Sequence, residues 1–378
     1  MSANTRQPRT RKPRAAEPPP RIRKVFVIAY DGELNPATRL RILQYIPGLQ
    51  EAGWEVETAY VVQGKLADPV ALVREIREGI AAADVVFVQR VLAGWLNRLL
   101  ERSGRPVVFD MDDALHYIRQ SQMAAAETPS GARDHLTIAF RKLTRGGKYF
   151  SSRKRHLDRM LKLARVVIVG NRWLRDELGG SAAEMRVLPT AVPADATPMK
   201  EHGDHSPVRI GWIGVRSNLF HLGLLENVFA RLAAEFGDRV LLTVVSSEEY
   251  ISPNIRTEFI RWSLEEESRI VSTFDIGIMP LQDDLFSRGK CSFKAILCMS
   301  HGVPVVISPV GMNIDLVENA FDGYLADNAE EWFQALSRLI ADSGLRSAMG
   351  RRAYEKIGKS YSSRYVLGNL LEILSRLA

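Results

Sequence analysis

Residues 275–327 read DIGIMPLQDDLFSRGKCSFKAILCMSHGVPVVISPVGMNIDLVENAFDGYLAD. The apolar run IGIM is strand-like and stops at Pro280, which has no N–H to offer a ladder. A polar loop follows, carrying Arg288, Gly289 and Lys290. The segment 290–301 is helix-compatible and sets Lys290 and Lys294 one turn apart. A second apolar run, VPVVIS, a loop containing Gly311 and a short GYLAD run come next. Strand, helix, strand in this order is a βαβ unit with parallel strands. Lysines and free backbone N–H groups at a helix start make an anion site suited to a diphosphate. Gly289 lets a ligand come close to the backbone. The same pattern also fits a helix that merely carries solvated lysines.

The pattern extends outward in both directions. Upstream, VRIGWIG (208–214), a helix over 218–236 and VLLTVV (240–245) precede a helix over 264–274. Downstream, helices are expected at 328–343, 345–358 and 361–377. In the first half, strands are expected at 24–30, 54–62, 84–89, 106–111, 165–170 and 184–189, with helices between them. One helix is expected over 36–52, because Leu40, Leu43, Ile46 and Leu49 share a face that ends at Gly53. The stretch AVPADATPMKEHGDHS (191–206) is polar and Pro-rich and reads as a linker. The expected organisation is a basic arm (1–23), a first α/β domain (24–195), a linker (196–206), a second α/β domain (207–360) and a terminal helix (361–378) that returns to the first domain. The fold class is α/β: two doubly wound Rossmann-like domains facing each other across a cleft.

The chain has 378 residues, a hydrophobic fraction of 46% and a charged fraction of 25%, which excludes a largely disordered or fibrous chain. Cys291 and Cys298 supply neither a disulfide framework nor a zinc site, and suit a reducing, cytoplasmic setting. The seven histidines show no metal-binding spacing, and no metal is expected. The net charge of +7 is concentrated in two places. Residues 1–24 hold eight Lys/Arg against Glu17, and residues 141–165 hold ten against Asp158. The first is Pro-rich, lacks the apolar segment of a secretory signal, and reads as a disordered arm. The second carries Leu157, Met160, Leu161 and Ala164 on one helical face, with Arg153, Lys154, Arg155, Arg159 and Lys162 on the remainder. It is either a solvated helix or a surface that meets an anionic membrane. Nucleic acid is not expected, since only Tyr149 and Phe150 interleave these charges. The uncharged stretch 295–314 is interrupted by Pro304 and Pro309 and does not read as a membrane span.

Taken together, the 275–326 run, GWIGVRSN (211–218), VVIVGNRWL (166–174), NPATRLRILQYIPGLQEAGWEV (35–56) and VVFVQR with RPVVFDMDDAL (85–115) resemble the group 1 glycosyltransferases. These are retaining enzymes of the GT-B fold that use nucleotide-sugar donors. The resemblance implies a glycosyltransferase of the hexosyltransferase kind, acting in glycan or glycoconjugate synthesis. Its expected acceptor is a glycan, a lipid-linked molecule or a small molecule, and the nucleotide sugar is a co-substrate, not a cofactor.

By the same resemblance, Gly214, Arg216, Ser217, Arg288, Gly289, Lys290, Lys294 and Gly311 face the donor, and Asn35, Arg39, Gln89 and Arg90 lie on the acceptor side. Asp110, Asp112 and Asp113, clustered at a strand end, are candidates for catalysis or for capping and structural bonds. Many members carry a Glu-x7-Glu pair whose second Glu accepts from the donor ribose; here those positions are Gly289 and Leu297. A GKxxxK arrangement, matching Gly289, Lys290 and Lys294, occurs in a subset. The alternative reading is a catalytically lapsed GT-B protein serving as a binding or scaffold subunit. The missing carboxylates favour it and the cationic loop opposes it.

Overall fold

A computed structural model describes residues 22–117, 147–180, 184–193 and 197–378. The arm expected over 1–23 therefore lies almost wholly outside the described residues, as does 141–146 of the basic segment.

Two six-stranded, wholly parallel sheets organise the described residues. The first contains β1 (Arg23–Ala29), β2 (Trp54–Tyr60), β3 (Val85–Gln89), β4 (Val107–Met111), β5 (Val166–Val169) and β6 (Met185–Val187). Its spatial order is β2-β1-β3-β4-β5-β6. The second contains β7 (Val208–Ile213), β8 (Val240–Ser246), β9 (Thr257–Arg261), β10 (Ile276–Met279), β11 (Val305–Ile307) and β12 (Tyr324–Leu325), in the order β12-β11-β10-β7-β8-β9. The central strands are buried on both faces, as parallel sheets with helices on each side require; β3, β4 and β8 are buried at every position. The strand order reverses at β1/β3 in one sheet and at β7/β10 in the other. Ligand crevices of open α/β sheets form at such reversals, beyond the carboxyl ends of the strands.

Helix 363–377 packs its Val366, Leu370, Ile373 and Leu374 on the first sheet, in one core with Val25, Ile42 and Tyr45. Val192 and Ser362 pair where the chain crosses between the domains. The segment before β7 is tied to the second sheet at Asp275: Lys200 Nζ lies 3.0 Å from its Oδ1 and His205 Nε2 2.9 Å from its Oδ2.

Several local expectations change. The helix expected over 36–52 is broken into Pro36–Arg41, a 3-10 turn Leu43–Tyr45 and Ile46–Glu51. Ile42 leaves helical geometry at φ −142°, and Pro47 has no N–H to continue the ladder. The helix expected from 218 is a 3-10 segment to Leu225 and becomes α-helical only over Glu226–Phe236. β9 was not anticipated: TEFIR is a half-exposed strand at the edge of its sheet, with too few apolar residues to stand out. The basic helix spans Gly147–Leu163; its Leu157, Met160 and Leu161, with Ala164 just beyond, are buried in the first domain's core.

Candidate active site

A cleft of about 500 Å³ opens between the carboxyl edges of the two sheets. From the first domain, Asn35, Arg90, Asp112, Asp113 and Thr190 reach it. From the second, it is lined by Gly214, Asn218, Trp262, Glu267, Lys290, Lys294 and Leu297, among others.

On the second domain, β7 ends at Ile213 and Gly214 turns the chain across the end of the sheet. A Cβ at Gly214 would stand 2.5 Å from Lys294 Nζ, so the bare glycine is what lets that lysine cross. Lys294 Nζ lies 3.9 Å from the centre of the buried Trp212 ring, a cation–π contact. Lys290 reaches the same space by another route. The helix expected to begin at Lys290 begins at Phe293, after Ser292 in the left-handed region (φ 50°). Lys290 is thus a loop residue, not a neighbour of Lys294 on one helix turn. Its Nζ donates to Asn218 Oδ1 at 2.9 Å. Leu297 lines the cleft with an apolar side chain.

On the first domain, the three aspartates separate into different roles. Asp110 is 1% exposed and wholly engaged by the buried Arg41, whose Nε donates to both carboxylate oxygens at 3.2 Å. Arg41 Nη1 donates to Leu188 O at 2.7 Å. Asp110 is therefore a structural ion-pair member inside β4, not a catalytic group; it does not line the cleft. Asp112 and Asp113 do line it. Arg90 holds both: Nη1 lies 3.1 Å from Asp112 Oδ1 and Nη2 3.1 Å from Asp113 Oδ2. Arg90 adopts φ 61°, uncommon for a non-glycine residue, while its N–H donates to Asp110 O at 3.0 Å. The contact to Asp112 Oδ1 is ionic and out of line for a hydrogen bond, so that buried oxygen keeps an open lone pair. Burial raises the Asp112 carboxyl, with Asp113 and Asp110 adding to it against Arg90 and Arg41; the outcome is a pKa of about 6.

Other expected site residues sit elsewhere. Arg216 is exposed and pairs with Glu248 at 2.8 Å, and Ser217 is exposed; neither lines the cleft. The Arg288 guanidinium turns outward to Asp283 at 2.6 and 2.8 Å. Gly289 faces not a ligand but the other domain, where an added Cβ would meet Ala114 Cβ at 2.5 Å and N at 2.8 Å. Gly311, at φ 57°, lies against the Arg288 backbone with no room for a side chain. Gln89 is fully buried and accepts from Thr38 Oγ1 at 3.2 Å and Tyr30 N at 3.3 Å. Asn35 caps helix 36–41 through Ala37 N and Thr38 N at the rim of the cleft. Arg39 spans the domains, 3.4 Å from Glu267 Oε1. Glu267 in turn accepts from Trp262 Nε1 at 2.8 Å. The resemblance placed Asn218 in the loop that approaches the donor, and sequence reading did not single out Trp262 or Glu267 as site residues. The last two follow the unanticipated edge strand β9, and its strand-end position was the signal that could have marked them.

Residues 208–342 match the family model described as Glycosyl transferases group 1. No curated protein matches the chain in sequence. Among solved structures, a sucrose-phosphate synthase from Thermosynechococcus elongatus superposes with a TM-score of 0.65 at 15% identity, covering 94% of this chain and 99% of that one. Anabaena HepE in complex with UDP and glucose gives a TM-score of 0.65 at 13% identity, covering 94% and 100%. A glycosyltransferase from Rickettsia africae gives 0.65 at 12% identity, covering 94% and 98%. At these identities the likeness is one of fold, and it extends the GT-B arrangement over both sheets. Residues 208–342 thus match the group 1 glycosyl transferase model, and both sheets together have the GT-B fold.

Proposed function

We propose that the chain transfers a sugar from a nucleotide-sugar donor to an acceptor hydroxyl. The observation that carries this is the convergence of Lys290, Lys294 and the Gly214 turn in one interdomain cleft, on the domain that matches the family. The donor diphosphate would lie between the Gly214–Asn218 loop and the two lysines. Their charge acts where negative charge develops as the diphosphate departs. HepE, of the same fold, is described with UDP and with UDP-glucose, which supports a uridine nucleotide as first probe. The acceptor would enter against the first domain, beside Asp112 and Asp113. Both carboxylates are already paired with Arg90, which fits same-face attack with retention better than a carboxylate nucleophile. It also fits a reaction that needs neither metal nor cofactor.

Calorimetry with UDP tests the donor assignment. Lys290→Ala and Lys294→Ala should each weaken binding by about 1–3 kcal/mol, the range for charge-assisted bonds. Equal affinity in all three proteins would remove the assignment. The alternative, a lapsed scaffold, is favoured by Leu297 in place of the ribose-binding carboxylate. It predicts UDP binding with no hydrolysis or transfer from any of several nucleotide sugars.

Asp112 is the group on the acceptor side best tuned to take a proton near neutrality. Its pKa is raised, so the sign is clear: the ionised, proton-accepting form appears as pH rises through about 6. The stability contributed by keeping Asp112 protonated is lost over the same interval. The rate at low substrate should climb across that window and then level. Asp112→Asn should remove the climb and lower the plateau by about 10²–10⁴-fold. A rising limb that survives the substitution would assign it to another group.

Among the described residues, no helix is long and apolar enough to cross a membrane. We place the chain on the cytoplasmic side, with peripheral contact through the basic helix. Lys154, Arg155 and Lys162 are exposed there, beside Arg98 and Arg102 of helix 94–103. Each cation near an anionic leaflet is worth about 1 kcal/mol. Co-sedimentation should therefore favour anionic over neutral vesicles and fade with salt; equal pelleting with both kinds would leave a solvated helix. Anionic vesicles of this kind would also suit a lipid-linked acceptor in polysaccharide or glycoconjugate synthesis.

A further inference from the structure

The loop that brings Lys290 into the cleft belongs to the second domain but is held by the first. Asn171 follows β5, caps helix 172–178 and is 2% exposed. Its Oδ1 accepts from Leu174 N at 2.7 Å, while its Nδ2 donates across the cleft to Arg288 O at 3.1 Å and Lys290 O at 2.9 Å. One amide thus binds the carbonyls on both sides of Gly289. Next to it, Cys291 Sγ donates to Asp112 O at 2.6 Å, and Gly289 rests on the Ala114 backbone. From the far side Gly311 backs onto Arg288. The loop is therefore gripped between the ends of β4 and β5 and its own domain. Only a primary amide offers an acceptor for the cap together with two donors for the carbonyls; a carboxylate or a hydroxyl keeps the cap and loses the pair of donors.

We infer that Asn171 is a positioning residue, whose amide joins the end of β5 to the Arg288–Lys290 loop, so that closure of the two domains sets the place of Lys290 in the cleft. The joint rests on geometry alone; its effect on donor binding rests on the reading of Lys290 given above. Lys290 then runs from a backbone fixed by one domain to Asn218 of the other. When the domains part, both carbonyls lose their donor and the cation loses its prearranged position.

The test uses full-length Asn171→Asp and Asn171→Ser, which keep a capping oxygen and so preserve helix 172–178. Hydrogen exchange over 288–294 should be about tenfold or more faster in both variants, while exchange of helix 172–178 stays unchanged. UDP should bind Asn171→Ser about tenfold more weakly, as for the loss of one or two hydrogen bonds. That loss should shrink when Lys290→Ala is already present, as for coupled sites. Wild-type exchange of the loop in both variants overturns the joint. Faster exchange with unchanged UDP affinity overturns its control of Lys290. If the unaltered protein fails to bind UDP, the donor reading falls, and exchange alone decides whether Asn171 holds the loop.

Discussion

Gly289→Glu is expected to reduce turnover by at least about 10²-fold, because the side chain has no room between the domains. An added Cβ at 289 meets Ala114 Cβ at 2.5 Å, N at 2.8 Å and Cα at 3.1 Å. Two of these are backbone atoms of the other domain, at the end of β4, and cannot swing aside as a flexible side chain would. The cleft must therefore open to accept the side chain. Displacements of about 1 Å at a reacting centre already cost roughly 10²-fold. Gly289 is buried against Ala114 of the first domain's core, so the side chain is accommodated by parting the domains, and small-angle scattering should show a more open molecule. Wild-type turnover with unchanged scattering would mean that the domains do not meet at Ala114 during the reaction.

The largest expected effect on stability comes from Arg41→Leu. Arg41 and Asp110 are 5% and 1% exposed, so the substitution leaves a carboxylate inside β4 without its cation. It also leaves Leu188 O without the donor it now has. Breaking a buried pair by removing one partner typically costs about 3–5 kcal/mol, while replacing both partners by apolar groups is often close to neutral. The double variant Arg41→Leu with Asp110→Leu should therefore recover much of the loss in urea unfolding. An additive double-variant cost would show that the two side chains act independently. Turnover per folded molecule should change far less for this pair than for Asp112→Asn, because Asp110 does not reach the cleft.

Much of the fold is legible in sequence because its signals are local. VVFVQ, VVFDM, VVIV and VLLTVV are short apolar runs that can only be interior strands of a parallel sheet, and the helical periods between them impose the crossovers. TEFIR escaped because an edge strand is half solvated and only two of its five residues are apolar. The break at Ile42–Tyr45 escaped because Leu40, Leu43, Ile46 and Leu49 keep a helical period even where the backbone does not.

The chemistry divides in the same way. Residue types and their order marked Lys290 and Lys294, and the family resemblance marked Gly214 and Arg90; these four line one cleft with Asp112 and Asp113, while Asp110 does not. Which Asp is buried on Arg41, which keeps an open lone pair, and which glycine faces a ligand or a neighbouring domain were decided by tertiary structure. Asp110, Asp112 and Asp113 are nearly identical as sequence symbols. Asp110 lies inside β4 while Asp112 and Asp113 stand just beyond its end, and a different arginine, brought from about 20 or 70 positions away, stands opposite. Secondary structure is set by side chains within a few positions of each other, so it is written in the chain itself. A charge's partner and its burial depend on atoms distant in sequence, and those exist as neighbours only once the two sheets have folded and faced each other.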